Sequence, residues 1–179
     1  MKYVRNEEQI KKIENLFNSV FLSKDPFGEM FRTEMDERLV LCPTNGYYLS
    51  KNQFDALMKV VKFIGEKEMI VSIVENESNS FLDADHWVCK NSINYSQYIQ
   101  LPLYLENSIY SQVGKWGILI SHEEHAVIGG DKNFIIKFKE FYPQWNEGLK
   151  NFIDMWQYNK VNFNSDVEWL SKFLKHISL

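Results

Sequence analysis

The feature that most constrains this fold is a succession of short apolar segments through the middle of the chain. Six extended segments are predicted, at residues 38–42, 68–75, 86–90, 98–105, 116–121 and 126–128. Short apolar runs bounded by turn residues are typical of strands. The last five segments follow one another with no helical pattern between them. Because consecutive strands favour antiparallel pairing, the sequence predicts an α+β fold with about five to six strands in one antiparallel sheet.

Helical patterns lie on both sides of this run of strands. Helices are predicted over residues 6–23, after the capping-box sequence 50–53, after Asp131, around 149–156, and after Ser165-Asp166-Val167-Glu168. In each, apolar residues recur every three or four positions, which places them on one face. We therefore expect helices to pack on the sheet and the last helices to form a C-terminal layer. No repeat or linker interrupts the chain, so residues 1–179 are interpreted as a single domain.

Charge and hydropathy exclude several classes of function. The chain carries a net charge of −4 and has no cluster of Lys and Arg, so nucleic-acid binding is not expected. No stretch approaches the ~20 apolar residues that a membrane-spanning helix needs. The N-terminal residues contain no apolar segment typical of an export signal. A cytoplasmic location is therefore expected.

The sequence His122-Glu123-Glu124-His125 raises the possibility of a metal site. The two histidines flank a predicted hairpin turn, where side chains on opposite strands come within about 5 Å. They could then share a metal ion, with Glu123 or Glu124 as an oxygen ligand. The spacing differs from the helical H-E-x-x-H motif, and a third protein ligand such as His86 is required. A metal-dependent hydrolase using these residues is one hypothesis, and an exposed polar loop is the other.

Acidic residues gather in two connecting segments. The predicted partner-binding residues are Glu75, Glu77, Asp83 and Asp85 in one segment and Glu123 and Glu124 in the other. Such residues usually face solvent in loops. They can also form a patch that attracts a basic protein, since charge of one sign speeds association with an oppositely charged partner. Nucleotide-binding motifs are absent, and no cofactor is implied.

One segment resembles a known group of proteins. Gly114-Lys115-Trp116-Gly117 opens an apolar strand, Gly129-Gly130 follows the next strand, and a helix containing Phe134 comes after it. Over about residues 114–141 this pattern is similar to small bacterial proteins, some of which are immunity proteins of polymorphic toxin systems. The resemblance implies a non-enzymatic protein that binds a toxin domain, often a basic one, and blocks it inside the producing cell. It carries over no catalytic residue. An interaction module without a toxin partner, using exposed aromatic residues, is a further hypothesis.

Overall fold

The chain folds around one antiparallel sheet. A computed structural model describes residues 1–78 and 80–178 and contains seven strands. They are Lys2–Tyr3 (β1), Glu37–Leu41 (β2), Glu68–Ile73 (β3), His86–Lys90 (β4), Asn107–Ser111 (β5), Trp116–Ile120 (β6) and Ala126–Gly130 (β7). Their order is β1-β4-β3-β5-β6-β7-β2, and every neighbouring pair is antiparallel. The predicted α+β class is confirmed, with seven strands where five to six were expected.

Helices cover both faces of the sheet. They are Glu7–Val20 (α1), Lys51–Phe63 (α2), Tyr95–Tyr98 (α3), Lys132–Phe141 (α4), Gly148–Phe163 (α5) and Leu170–Ile177 (α6). Along β2, Leu39 and Leu41 belong to the core under α2 and α4, whereas Val40 belongs to the core under α1, α5 and α6. Because both faces are buried, the strands have continuous apolar runs. In the described part of the chain, no helix combines the length and apolarity needed to cross a membrane.

The strand predicted at residues 98–105 is wrong. Tyr95–Tyr98 forms a short helix, and the strand lies further on, at Asn107–Ser111. This central strand was missed because it contains buried polar residues. Its two serines at positions 108 and 111 find partners on neighbouring segments: Ser108 Oγ donates to the Ser72 carbonyl on β3 at 3.4 Å, and Ser111 Oγ donates at 2.8 Å to Glu66 Oε1 in the connection before β3. Satisfied in this way, polar groups can be buried at small net cost.

Two predicted helix boundaries also change. The first helix ends at Val20, not at residue 23, because Phe21 pairs with Phe31 in an isolated bridge. The last helix begins at Leu170, not after residue 165. Asp166 instead accepts the backbone N–H of Glu168 at 2.8 Å, which forms a local turn. Asp side chains commonly bond to backbone two residues on, and this competes with helix formation.

Paired glycines let one loop lie directly on the sheet. Gly117 and Gly129 are cross-strand partners on β6 and β7. A Cβ at Gly117 would lie 2.5 Å from the Phe21 ring, and one at Gly129 would lie 3.0 Å from the Phe31 ring. These two rings pack against each other 5.2 Å apart. The glycines therefore provide the space in which the segment around residues 21–31 packs against the sheet.

Asp131 caps helix α4, as its position in the sequence predicted. Its Oδ1 accepts the backbone N–H of Phe134 at 2.8 Å. We expect Asp131→Ala to lower the free energy of unfolding by about 1 kcal/mol, because one helix donor loses its acceptor. Urea denaturation measures this change. The exposed residue Asn133 provides a control on the same turn, and an equal loss in Asn133→Ala would contradict the capping role.

Candidate functional site

Three connecting segments that together carry seven acidic residues meet at one end of the sheet. Residues 74–85 follow β3, residues 99–106 precede β5, and residues 121–125 join β6 to β7. Because the strands are antiparallel, the ends of β3 and β6 lie beside the starts of β4, β5 and β7. The three segments contain seven Asp and Glu residues and no Lys or Arg. We call this region the acidic end; it holds Glu75, Glu77, Asp83, Asp85, Glu106, Glu123 and Glu124.

Tyrosine hydroxyls and two cations from neighbouring segments lie at the acidic end, where four of the acidic side chains are exposed. Asp85 accepts the hydroxyl of Tyr3 at 2.6 Å and that of Tyr104 at 3.4 Å. Two cations from other segments reach this region, Arg5 over the Tyr3 ring and Lys24 over the Phe81 ring. Glu75, Glu77, Asp83 and Glu124 are exposed. The acidic end is therefore a surface with negative charge available to solvent.

Glu106 connects several groups at the acidic end, and sequence reasoning did not single it out. Its carboxylate accepts the hydroxyl of Ser121 at 3.3 Å and lies 3.0 Å from Nδ1 of His122. Its backbone N–H donates to Glu75 at 3.4 Å. Nε2 of His122 lies 3.3 Å from Glu123 Oε1, so both ring nitrogens face carboxylates. Burial raises the pKa of Glu106, and the hydrogen bond from His122 partly opposes this rise.

The hairpin predicted between residues 116 and 128 is confirmed, but its histidines do not face each other. Ser121 pairs with His125 instead, its N–H donating to the His125 carbonyl at 2.9 Å. Residues 122–124 form a three-residue loop in which Glu124 has a φ of 54°. Loops of three residues often end with a residue in the left-handed region. This register leaves His122 exposed on the loop and buries His125.

His125 lies inside the core between the sheet and the C-terminal helices. Its Nε2 is 3.2 Å from the Pro26 carbonyl oxygen. The rings of Phe27 and Phe152 lie 5.0 and 4.7 Å from its own ring. Burial lowers its pKa to about 4, while the contacts with backbone carbonyls partly oppose this change. His125 therefore stays neutral near pH 7 and acts as a core residue.

The arrangement does not favour a metal-dependent hydrolase. His86, the third ligand considered, contacts Ser72 Oγ at 2.8 Å and the Phe81 carbonyl at 2.7 Å. His122, His125 and His86 thus have separate partners. Among residues 1–78 and 80–178, no group of three or more His, Cys, Asp or Glu side chains could hold a metal ion.

An aromatic pocket opens beside the acidic end. Its volume is about 480 Å³. We define the aromatic pocket by Phe27, Trp156 and Trp169, which line it together with Asp25, Gly28, His122, Glu123 and Lys172. The Phe27 and Trp169 rings lie 4.9 Å apart at 71°, and the two tryptophan rings 5.0 Å apart at 87°. His122 and Glu123 belong to both the pocket and the acidic end, so the two features are continuous.

Local contacts hold the walls of the pocket. Asp25 Oδ1 accepts the backbone N–H of Phe27 at 2.9 Å, and the Trp169 indole donates to the Asp166 carbonyl at 3.0 Å. Trp156 is only 8% exposed, and its indole N–H has no acceptor among the described residues. Lys172 lies at the rim, with its ammonium 3.5 Å from Glu29. Aromatic faces next to carboxylates form an environment that attracts cations.

Sequence reasoning missed this pocket for an identifiable reason. Trp156 and Trp169 fall within two of the predicted helices, and Phe27 follows the first predicted helix. Nothing in their spacing connects these three residues, because the contacts form only when α5 and α6 pack beside residues 21–31. Larger pockets lie elsewhere: those of about 640 and 650 Å³ both touch Glu68, Lys90 and Gln112, away from the acidic end.

Comparison with known proteins gives no relative. No model of a protein family matches the chain, and neither a curated protein nor a solved structure matches it.

Proposed function

We propose that this chain is a non-enzymatic bacterial protein-binding domain whose acidic end binds a basic surface of a partner protein. The observation that carries the proposal is that three connecting segments with seven Asp and Glu residues and no Lys or Arg meet at one end of the sheet. A surface of one sign attracts an oppositely charged partner and raises the rate of encounter. Binding of this kind requires no catalytic group.

The resemblance of residues 114–141 to immunity proteins supports a more specific proposal. In that case the partner is a basic toxin domain, and the chain blocks its active site in the cytoplasm of the producing cell. The acidic end supplies the complementary charge. The assignment to a toxin partner is drawn by analogy from the resemblance, whereas the preference for a basic partner follows from the charge of the surface.

An apolar surface elsewhere favours a second candidate, an interaction module without a toxin partner. Near the end of α5, Tyr158, Val161 and Phe163 are 60%, 82% and 69% exposed. The Tyr158 and Phe163 rings pack together 6.0 Å apart. Exposed aromatic residues of this kind are frequent anchors in protein interfaces. A partner bound here would not depend on the acidic end.

Removing charge from the acidic end tests the main proposal. Glu77 and Asp83 are exposed, and no side-chain hydrogen bond of either residue is described. We expect Glu77→Gln with Asp83→Asn to slow association with a basic toxin domain encoded by a neighbouring gene by about three- to tenfold at low salt. The difference should shrink at high salt, because ions screen exposed charges. Stopped-flow or surface-plasmon-resonance measurements give the association rate constant.

A matched control removes two charges from the opposite end of the sheet. Glu34 and Asp36 are exposed and directly precede β2. Glu34→Gln with Asp36→Asn changes the net charge equally and should leave the association rate nearly unchanged. Failure of the wild-type chain to bind or neutralise the toxin on co-expression would contradict the immunity role. An equal effect of both double variants would contradict the assignment of the surface.

A further inference from the structure

We infer that the aromatic pocket binds the guanidinium group of an arginine side chain on the partner protein. This inference rests on the proposed function, because the basic surface of the partner supplies the arginine. It adds a defined contact to what is otherwise a general attraction between charges. The pocket touches the acidic end through His122 and Glu123, so a single basic segment can reach both.

Three aromatic rings pack against one another in the wall of the pocket. Phe27 and Trp156 lie 5.7 Å apart at 90°, and each is also nearly perpendicular to Trp169. Rings in this arrangement pack edge against face, and the parts of them that stay uncovered line the pocket. The face of an aromatic ring is its electron-rich side, and it attracts cations most strongly in the case of tryptophan. Arginine stacks on such faces because its guanidinium is planar and weakly hydrated.

Carboxylates at the edge of the pocket provide complementary charge. Glu123 and Asp25 both line it. Glu123 has 41% of its side chain exposed, so its carboxylate is accessible to solvent, and one of its oxygens also contacts Nε2 of His122 at 3.3 Å. A carboxylate can bind the forked N–H groups of a guanidinium in parallel. An anion would be repelled here, and a neutral apolar group would desolvate the carboxylates without compensation.

Lys172 is the one feature of the pocket lining that opposes a cationic guest. Its side chain is 70% exposed, and its ammonium pairs with Glu29 across 3.5 Å. A long exposed side chain can move toward Glu29 and away from the pocket. Its charge still weakens binding of a second cation. Removal of this charge should therefore strengthen binding of the cation. The inference thus predicts one variant with a higher affinity, besides one with a lower affinity.

The pocket can be tested without an identified partner. The probe is the peptide acetyl-Gly-Arg-Gly-amide, and the signals are the indole N–H resonances of the chain labelled with nitrogen-15. We expect saturable shifts of the Trp169 signal in the millimolar range. The citrulline peptide has the same shape without the charge, and it should bind at least about threefold more weakly because cation–π and ionic contacts are lost.

Variants of neighbouring residues separate the pocket from general charge effects. Glu123→Gln should weaken binding of the arginine peptide about threefold, since one partly exposed ion pair is lost. Glu168 is exposed and directly precedes Trp169 but does not line the pocket, so Glu168→Gln should leave binding unchanged. Lys172→Gln should strengthen it. The inference is overturned by equal shifts with the citrulline peptide, by equal effects of the two glutamate variants, or by no saturable shift.

The outcome is distinguishable from that of the proposed function. If the toxin binds and depends on Glu77 and Asp83 while the arginine peptide causes no shift of Trp169, only the inference about the pocket fails. If the peptide binds as expected but no basic protein partner is recognised, the pocket remains a guanidinium site and the proposed function fails.

Discussion

Replacing Gly148 with alanine is expected to lower the free energy of unfolding by about 3 kcal/mol or more. Gly148 is the first residue of α5, and it is buried against β2. A Cβ atom there would lie 2.0 Å from the carbonyl oxygen of Val40 and 2.9 Å from its carbonyl carbon. These are backbone atoms of a strand that pairs with β7 along its full length, so they cannot move aside. The start of α5 must instead move away from the sheet.

The measurement is urea denaturation followed by circular dichroism and by tryptophan fluorescence. Because α5 carries Trp156, the displacement should also alter the fluorescence of the folded variant. Gly46 serves as a control, since it has a φ of +57° and no atom within 4 Å of an added Cβ. Gly46→Ala should cost only about 1 kcal/mol, from backbone strain alone. A smaller loss in Gly148→Ala than in Gly46→Ala would refute close contact between α5 and β2.

Acidification is expected to destabilise the protein by about 2 to 3 kcal/mol between pH 7 and pH 4.5 through His125 alone. Burial lowers the pKa of His125 to about 4 in the folded state, against 6.5 for the free side chain. Below pH 6.5 the unfolded chain takes up a proton that the folded chain does not bind. Protonation therefore favours the unfolded state as the pH falls from 6.5 toward 4. Well above pH 6.5 His125 is neutral in both states, so the protein keeps its full stability with respect to this residue.

Other groups contribute to the pH dependence, so a variant is needed to isolate His125. Burial, together with the charge of Arg38, also lowers the pKa of His176 to about 4, which adds to the effect. Burial raises the pKa of Glu66 and of Glu106, which acts in the opposite direction as the pH falls. The charged and titratable groups nearest His125 in the loop are His122, Glu123 and Glu124. The change in unfolding free energy with pH is measured for the wild type and for a variant without His125. The difference between the two changes removes the contribution of these other groups.

The variant His125→Gln keeps hydrogen-bonding capacity toward the Pro26 carbonyl but does not titrate. We expect its loss of stability between pH 7 and pH 4.5 to be about 2 kcal/mol smaller than that of the wild type. His122→Gln is the control, because this histidine lies exposed on the loop. Urea denaturation at several pH values gives the comparison. The same pH profile for wild type and His125→Gln would show that His125 is accessible to protons in the folded state.

Local sequence patterns were sufficient for the fold class and for much of the detail. The strand Trp116–Ile120 and the cap at Asp131 lie where the sequence placed them. The next strand begins at Ala126 as predicted, but it continues through Gly129 and Gly130, which were expected to follow it. These features depend on residues only a few positions apart. The prediction failed at Asn107–Ser111, where buried serines depend on Ser72 and Glu66 from other strands and connections. Such partners cannot be read from a short window of sequence.

The sequence by itself determined that the chain has an α+β fold, that the middle of the chain pairs as an antiparallel sheet, and that two of its connecting segments are acidic. Only the tertiary structure decided that these segments meet at one end, that His125 is buried while His122 is exposed, and that Phe27, Trp156 and Trp169 form a pocket. The physical reason is the range of the interactions. Periodicity and capping act within a few residues, whereas a site depends on which distant faces fit together. Here that fit depends on Gly117, Gly129 and Gly148, where the absence of a side chain allows distant segments to touch.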